Sequence, residues 1–353
     1  MIMEFYILNK LFDVVGVIDT YISAIWTERY YESGDFEIYL PMDSDILNKV
    51  QKHFFIVRMD DTTKCGVIET IKISQSADGG DKLLISGRNL SSILSRRIVW
   101  KQTTYSGKVE QVCRNLVKDA FVSPELSSRM VDEFRLGAEK GFDDKVRVQY
   151  TGDNVEEAIQ NLCKTYKLGY KVWFDVSDKH IVFEMYKGVD RSYDQEENPY
   201  VIFSEQFENL LSSEYTSDDM EYKNVAQVAG EGQGTARKKV IVGAGYSGLN
   251  RFETFVNASG VSTNDGEVDE ISYNNLLKQQ GAEALADLST TESFDSEVAP
   301  NYNYKLGVDY NLGDIVEISN QYGISISTRV TEIIESNDES GYSYIPTFAV
   351  DEN

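Results

Sequence analysis

Apolar and polar positions alternate along much of the N-terminal stretch, the period of half-buried strands. Runs at 21–31 and 36–40 flank Glu32-Ser33-Gly34-Asp35, which predicts a β-hairpin. The runs 54–59 and 67–73 continue the pattern. Asp78-Gly79-Gly80-Asp81 predicts a tight turn, with 82–86 as the returning strand. Gly87 is expected to end that strand. Asn89 is expected to cap a short amphipathic helix over 90–98, with Leu90, Ile93, Leu94 and Arg97 at helical spacing. Arg96 and Arg97 then lie at its C-terminal end, where cations suit the helix dipole.

The period then changes. Val109, Val112, Cys113, Leu116 and Val117 follow helical spacing within 106–121, and Val155, Ala158, Ile159, Leu162 and Cys163 do so within 152–166. Val109-Glu110, Asn115-Leu116 and Lys118 recur as Val155-Glu156, Asn161-Leu162 and Lys164 at the same spacing. Either a duplicated unit or two similar amphipathic helices produces that. Tyr170, Val172, Phe174 and Val176 alternate, Ser177-Asp178-Lys179 turns the chain, and Ile181, Phe183 and Met185 return, a second hairpin. The polar, acidic stretch 190–199 reads as a domain boundary. Beyond it, strands at 224–229 and 238–242 flank a glycine-rich turn, 273–288 reads as a third helix, and Gly313-Asp314 opens a strand at 315–318. Ile324, Ile326, Thr328 and Val330 alternate again. The expected fold is mainly β with an α+β insertion. Its expected parts are an N-terminal β-rich domain over 1–105, an α/β domain over 106–200, and a C-terminal β-rich domain with one helix over 201–353.

Composition supports packed cores, with 41% hydrophobic residues in 353, so global disorder is excluded. The chain holds 22 Tyr and 16 Phe but 5 Pro, a bias toward strands and interfaces. Its formal net charge is −24, which disfavours stable binding to nucleic-acid phosphates. An acidic surface also keeps a protein soluble, and it can guide DNA by repelling it. No run approaches the ~20 apolar residues of a membrane-spanning helix. Glu4 interrupts the apolar N-terminus and no basic region precedes it, so no signal peptide is expected.

The chemistry-bearing residues are sparse. Cys65, Cys113 and Cys163 are far apart and fit neither a zinc knuckle nor a redox pair. His53 and His180 are the two histidines, and neither has metal or triad spacing. Gly230-Glu231-Gly232-Gln233-Gly234 lacks the helix and Lys-Ser/Thr of a phosphate loop and reads as a hairpin turn. Among the 58 carboxylates no aromatic-flanked acid pair stands out. No catalytic centre, metal or cofactor is expected. Asp190 and Arg191 either form a local turn and ion pair or make a subunit contact, and Arg96 and Arg97 are further candidates for a subunit contact.

In order along the chain, these landmarks resemble the siphovirus tail proteins of the baseplate-hub type. The resemblance rests on Ser33-Gly34-Asp35-Phe36-Glu37 with Leu40-Pro41, and on Gly87-Arg88-Asn89-Leu90 with Leu94 and Arg96-Arg97-Ile98. It continues in Gly188 with Asp190-Arg191-Ser192, in Val201-Ile202-Phe203-Ser204 and in Asn209-Leu210. Ser247-Gly248-Leu249 with Arg251 and Glu253, and Leu312-Gly313-Asp314-Ile315-Val316, complete it. The resemblance implies a structural protein of the virion tail, assembled in the host bacterial cytoplasm. It implies a homotrimer whose subunits each present two β-barrel-like domains, forming a ring that matches a sixfold tail tube. DNA and the tape-measure protein would pass through that ring. The distal tail protein and receptor-binding tail components would be its neighbours. The sequence closes near the final hub strand, so no lysin or receptor-binding extension is expected. A tail-associated cell-wall hydrolase and a carbohydrate-binding tail adhesin are the competing readings.

Overall fold

In the computed structural model the described residues are 3–75, 80–264, 266–298, 304–320, 322 and 325–350. The protein is mainly β, with 41% strand against 21% helix, spread over several sheets and more than one domain.

The N-terminal unit contains β1 (Phe5–Leu8), β2 (Val14–Ile18), β3 (Ser23–Arg29), β4 (Asp35–Pro41), helix α1 (Ser44–Lys49), β5 (Phe55–Arg58), β6 (Cys65–Ser74) and β7 (Lys82–Asn89). The strands lie in the order β3-β4-β7-β6-β5-β1-β2, every neighbour antiparallel. Alternate side chains of these strands build one core: Phe5 and Ile7, Trp26, Phe36 and Ile38, Leu83 and Ile85. The hairpin expected around Ser33 and Gly34 is the β3–β4 pair.

Gly87 does not end its strand. β7 continues to Asn89 and pairs with β6 across an irregularity between Ile68 and Thr70. A Cβ on Gly87 would stand 1.8 Å from the Val67 carbonyl, so the glycine admits a close backbone approach where a side chain would block it. The segment after it is a 3₁₀ helix, Leu90–Arg96, and the Asn89 side chain does not cap it. Its Nδ2 instead donates to the Thr27 carbonyl at 2.9 Å, tying β7 to β3. Asp78 and Gly79 of the expected turn lie outside the described residues.

The middle unit contains β8 (Thr103–Lys108), α2 (Val109–Val117), β9 (Phe134–Leu136), β10 (Lys145–Tyr150), α3 (Val155–Tyr166), β11 (Gly169–Asp175) and β12 (His180–Tyr186). Strand β8 occupies the first residues of the expected helix, because residues 103–108 pair with β10 and only Val109 begins the coil. A π turn, Lys118–Val122, continues α2. Asn154 caps α3 by accepting from the Glu156 amide at 2.9 Å. The apolar stripes of α2 and α3 are buried together with the β11–β12 hairpin and with Phe12, Phe55 and Val67 of the N-terminal unit.

The rest contains β13 (Ile202–Ser204), β14 (Leu210–Asp218), β15 (Val225–Ala229), β16 (Lys239–Val242), β17 (Glu253–Asn257), α4 (Glu270–Asp287), β18 (Thr291–Val298), β19 (Ile315–Ser319), β20 (Ser325–Asp338) and β21 (Gly341–Val350). Its buried residues fall into two cores. One gathers Phe203, Tyr310, Val316, Val330 and Phe348. The other gathers Ala226, Val228, Tyr273, Leu276 and Leu277, where α4 covers one face of the sheet β16-β15-β17. Helix α4 also packs on α3 and β10 of the middle unit.

Gly281 sets how closely α4 approaches its sheet. A Cβ there would meet Val242 Cγ2 at 2.6 Å and Val228 Cγ2 at 2.7 Å. In an exposed helix Gly→Ala gains roughly 1 kcal/mol. Here the branched valines resist displacement, and overpacking costs roughly 1–3 kcal/mol. We expect Gly281→Ala to lower the urea midpoint and to speed amide exchange in α4, whereas an unchanged or raised midpoint would show that the helix has room to move.

Candidate assembly surfaces

Strand β20 joins the two terminal β units. Its first residues pair with β19, and residues 332–338 pair with β3, while β21 runs along the other edge. One sheet therefore runs from β14 through β18, β21 and β20 into β3 and on to β2. Charged residues are buried at this seam. Arg58, at the end of β5, is 1% exposed, and its guanidinium pairs with Asp60 at 2.6 Å and with Glu335 of β20. Lys64 reaches Glu28 at 2.6 Å and Glu335 at 2.9 Å, and the Tyr342 hydroxyl donates to Glu335 at 2.9 Å. Burial pushes the Glu335 carboxyl up, but Lys64 and Arg58 outweigh it and hold the group below its ordinary range.

A cleft of about 820 Å³ opens beside this cluster where the three units meet. Its carboxylates are engaged within the chain: Glu28 with Lys64, Glu32 with Lys164, Asp60 with Arg58, Asp61 with Thr63, and Asp314 with Arg191. Four of these five pairs are ion pairs and the Asp61 contact is a hydrogen bond to a hydroxyl, an arrangement that suits a joint fixing the units on one another.

The second joint gathers motifs far apart in sequence. Asp314 Oδ1 accepts from the Val189 amide at 2.7 Å, and Oδ2 accepts from Arg191 Nε at 2.9 Å and from the Asn311 amide at 3.0 Å. Asp190 Oδ1 accepts from the Ser192 amide and hydroxyl. Gly188 packs so closely that a Cβ would stand 1.7 Å from the Gly313 carbonyl, and Gly313 itself (φ 94°) lies against the Tyr30 ring. The Tyr30 hydroxyl donates to the Lys167 carbonyl and accepts from the Gly188 amide, both at 3.2 Å. Asp190 thus shapes a local turn, and Arg191 pairs within the chain. Arg96 is exposed, and Arg97 is half-buried with its guanidinium 5.3 Å from the Phe121 ring. The four residues are not brought together into one patch. Sequence reasoning missed Tyr30, Arg58, Lys64 and Glu335, whose partners lie up to 277 residues away and leave no local signal.

The other candidate residues fall into structural roles. The glycine-rich segment turns β15 into β16, where Arg237 donates to the Gly230 and Ala229 carbonyls at 2.7 and 2.6 Å. All three cysteines are buried, and burial followed by a hydrogen bond with Cys113 pushes the Cys163 thiol up. His180 lies 3.2 Å from an Arg135 nitrogen. Among the described residues no group of three or more His, Cys, Asp or Glu could hold a metal ion, and no helix is long and apolar enough to cross a membrane.

Comparison with solved structures returns phage tail proteins of the same fold. A tail protein from Neisseria meningitidis MC58 superposes with a TM-score of 0.57 at 15% identity, covering 99% of this chain and 96% of that one. The 43 kDa tail protein of prophage MuSo2 from Shewanella oneidensis gives 0.55 at 10% identity, covering 98% and 97%. Prophage tail protein gp18 from Listeria monocytogenes EGD-e gives 0.54 at 10% identity, covering 99% and 95%. No curated protein matches the sequence. The sequence itself matches the profile of the siphovirus ReqiPepy6 Gp37-like proteins over residues 4–348, so the chain belongs to that family of phage tail proteins.

Proposed function

We propose that this tail protein is a structural hub of the tail tip. Three copies form a ring that closes or extends the tail tube and lets DNA and the tape-measure protein through. The observation that carries the reading is the seam. Strands β3 and β20 fuse two β units of one chain into a single sheet, so three copies would set six β units around one axis. The buried pairs at both joints make each subunit rigid, as a load-bearing collar requires. Acidic walls would repel DNA and keep it from sticking in transit. The engaged carboxylates of the large cleft favour a scaffold over a cell-wall hydrolase, and we assign the chain no catalytic role. The distal tail protein and receptor-binding components are its proposed neighbours.

A chain of net charge −24 resists self-association through repulsion screened over ~8–10 Å at physiological salt. We expect sedimentation velocity to show a trimer at high protein concentration, with association strengthening as salt rises. A monomer under every condition, including with the distal tail protein added, would overturn the hub assignment.

A further inference from the structure

The sheet β16-β15-β17 has one face under α4 and the other open. A strand open on one side normally alternates apolar-in with polar-out. This sheet breaks the rule at its centre. Ile241 of β16 and Phe255 of β17 stand on either side of Gln227 in register, on the open face, 49% and 55% exposed. Leu249, on the connection between β16 and β17, is a further exposed apolar side chain, 97% exposed. Apolar side chains grouped this way mark an interaction surface.

The charge around them is equally unusual. Residues 220–260 hold five Lys and Arg against three Asp and Glu, in a chain whose net charge is −24. Of those charges, Glu231 is turned onto Ser262 and Thr263, Glu253 pairs with Arg251 at 2.6 Å, and Lys238 pairs with Glu270 at 3.4 Å. The result is an apolar centre flanked by Lys239 and Arg237, on a molecule that is otherwise strongly acidic.

We propose that this open face of β16-β15-β17 is the contact by which one copy of the chain seats on the acidic surface of the next. The proposal rests on the ring reading and deepens it. Charge complementarity selects the occupant, since the remainder of the same chain supplies the acidic partner surface. A patch that binds a different surface of its neighbour is a heterologous contact, and three such contacts close a ring.

Ile241→Ser/Phe255→Ser should raise the apparent dissociation constant of the trimer at least about 100-fold, the scale of removing central apolar anchors. Both residues point away from α4, so the thermal melt of the variant should match the parent. Lys239→Glu should weaken assembly too, most strongly at low salt, where the added charge deepens the net repulsion between acidic copies, and less as salt screens that repulsion. Sedimentation of the parent and both variants across a salt series reads all three effects. A parent that assembles while Ile241→Ser/Phe255→Ser is weakened throughout the series and Lys239→Glu is weakened at low salt supports the proposal. Variants that assemble as well as the parent overturn it and leave the ring standing. A parent that never assembles overturns both.

Discussion

Glu283→Gln should stabilise the protein by about 2 kcal/mol at pH 8 and by little at pH 5. Glu283 lies on α4, 5% exposed, in the contact with α3 and β10. Gln279 and Gln280 donate to it at 3.0 and 3.3 Å, and no cation pairs with it among the described contacts. Burial, reinforced by the nearby charges of Asp153 and Asp287, raises its pKa from 4.5 to about 7. The folded state therefore holds a proton that the unfolded chain has released, and stability is fullest below the unfolded value. It falls as pH rises from about 4.5 to about 7, by roughly 3 kcal/mol at one unit per 1.36 kcal/mol. Glutamine keeps an acceptor for Gln279 and removes the charge. Urea unfolding at both pH values checks this, with amide exchange of α4 as the local readout. Equal effects of the substitution at pH 5 and pH 8 would show that Glu283 is not protonated in the fold.

Local patterns were legible along the chain, and long-range chemistry was not. Helices α2 and α3 were readable because their buried residues follow one stripe, and the β3–β4 and β11–β12 hairpins because short turns join alternating runs. The same local logic failed at Gly87 and Asn89. Their roles are a close approach to Val67 and a hydrogen bond to Thr27, and both partners are remote in sequence. The alternation after Ser325 breaks at Glu332 and Glu335, so the full length of β20 was hidden. Glu335 occupies a buried position because Arg58 and Lys64 neutralise it, and period counting treats such a residue as surface. The separate core under α4 was likewise invisible, since β15 and β17 are short and pair in parallel across a connection that carries Leu249. Asp190 and Arg191 read from sequence as a local turn with an ion pair or as a subunit contact; Asp190 turns onto Ser192, and the partner of Arg191 is Asp314, 123 residues on.

Arg58→Met should cost roughly 3–5 kcal/mol, the largest single effect expected in this chain. Methionine fills much of the volume, so the loss is mainly electrostatic. Glu335 would keep Lys64 and Tyr342 but lose its guanidinium partner in a site where it is 4% exposed, and Asp60 would lose its own. The guanidinium also lies 6.0 Å from the Trp26 ring, so packing at the centre of the N-terminal core would loosen. Lysine is a poor rescue because a single ammonium cannot reproduce the planar fork that binds both Asp60 oxygens through Nε and Nη2 while Nη1 reaches Glu335. Adding Glu335→Gln to Arg58→Met should recover part of the loss, since it removes the charge left underpaired, and a double-mutant cycle should show coupling above about 1 kcal/mol. The pH dependence has the opposite sign to that of Glu283. The carboxyl of Glu335 is held below its ordinary 4.5, so its contribution is fully present above that value and is lost as pH falls through the lower folded one. Acid should therefore open the β3–β20 seam, while rising pH should loosen α4. Exchange of the β20 amides follows the first and exchange of the α4 amides the second. If Arg58→Met costs under about 1 kcal/mol and leaves β20 protected in acid, the backbone pairing of β3 with β20 holds the two units together without the buried charges.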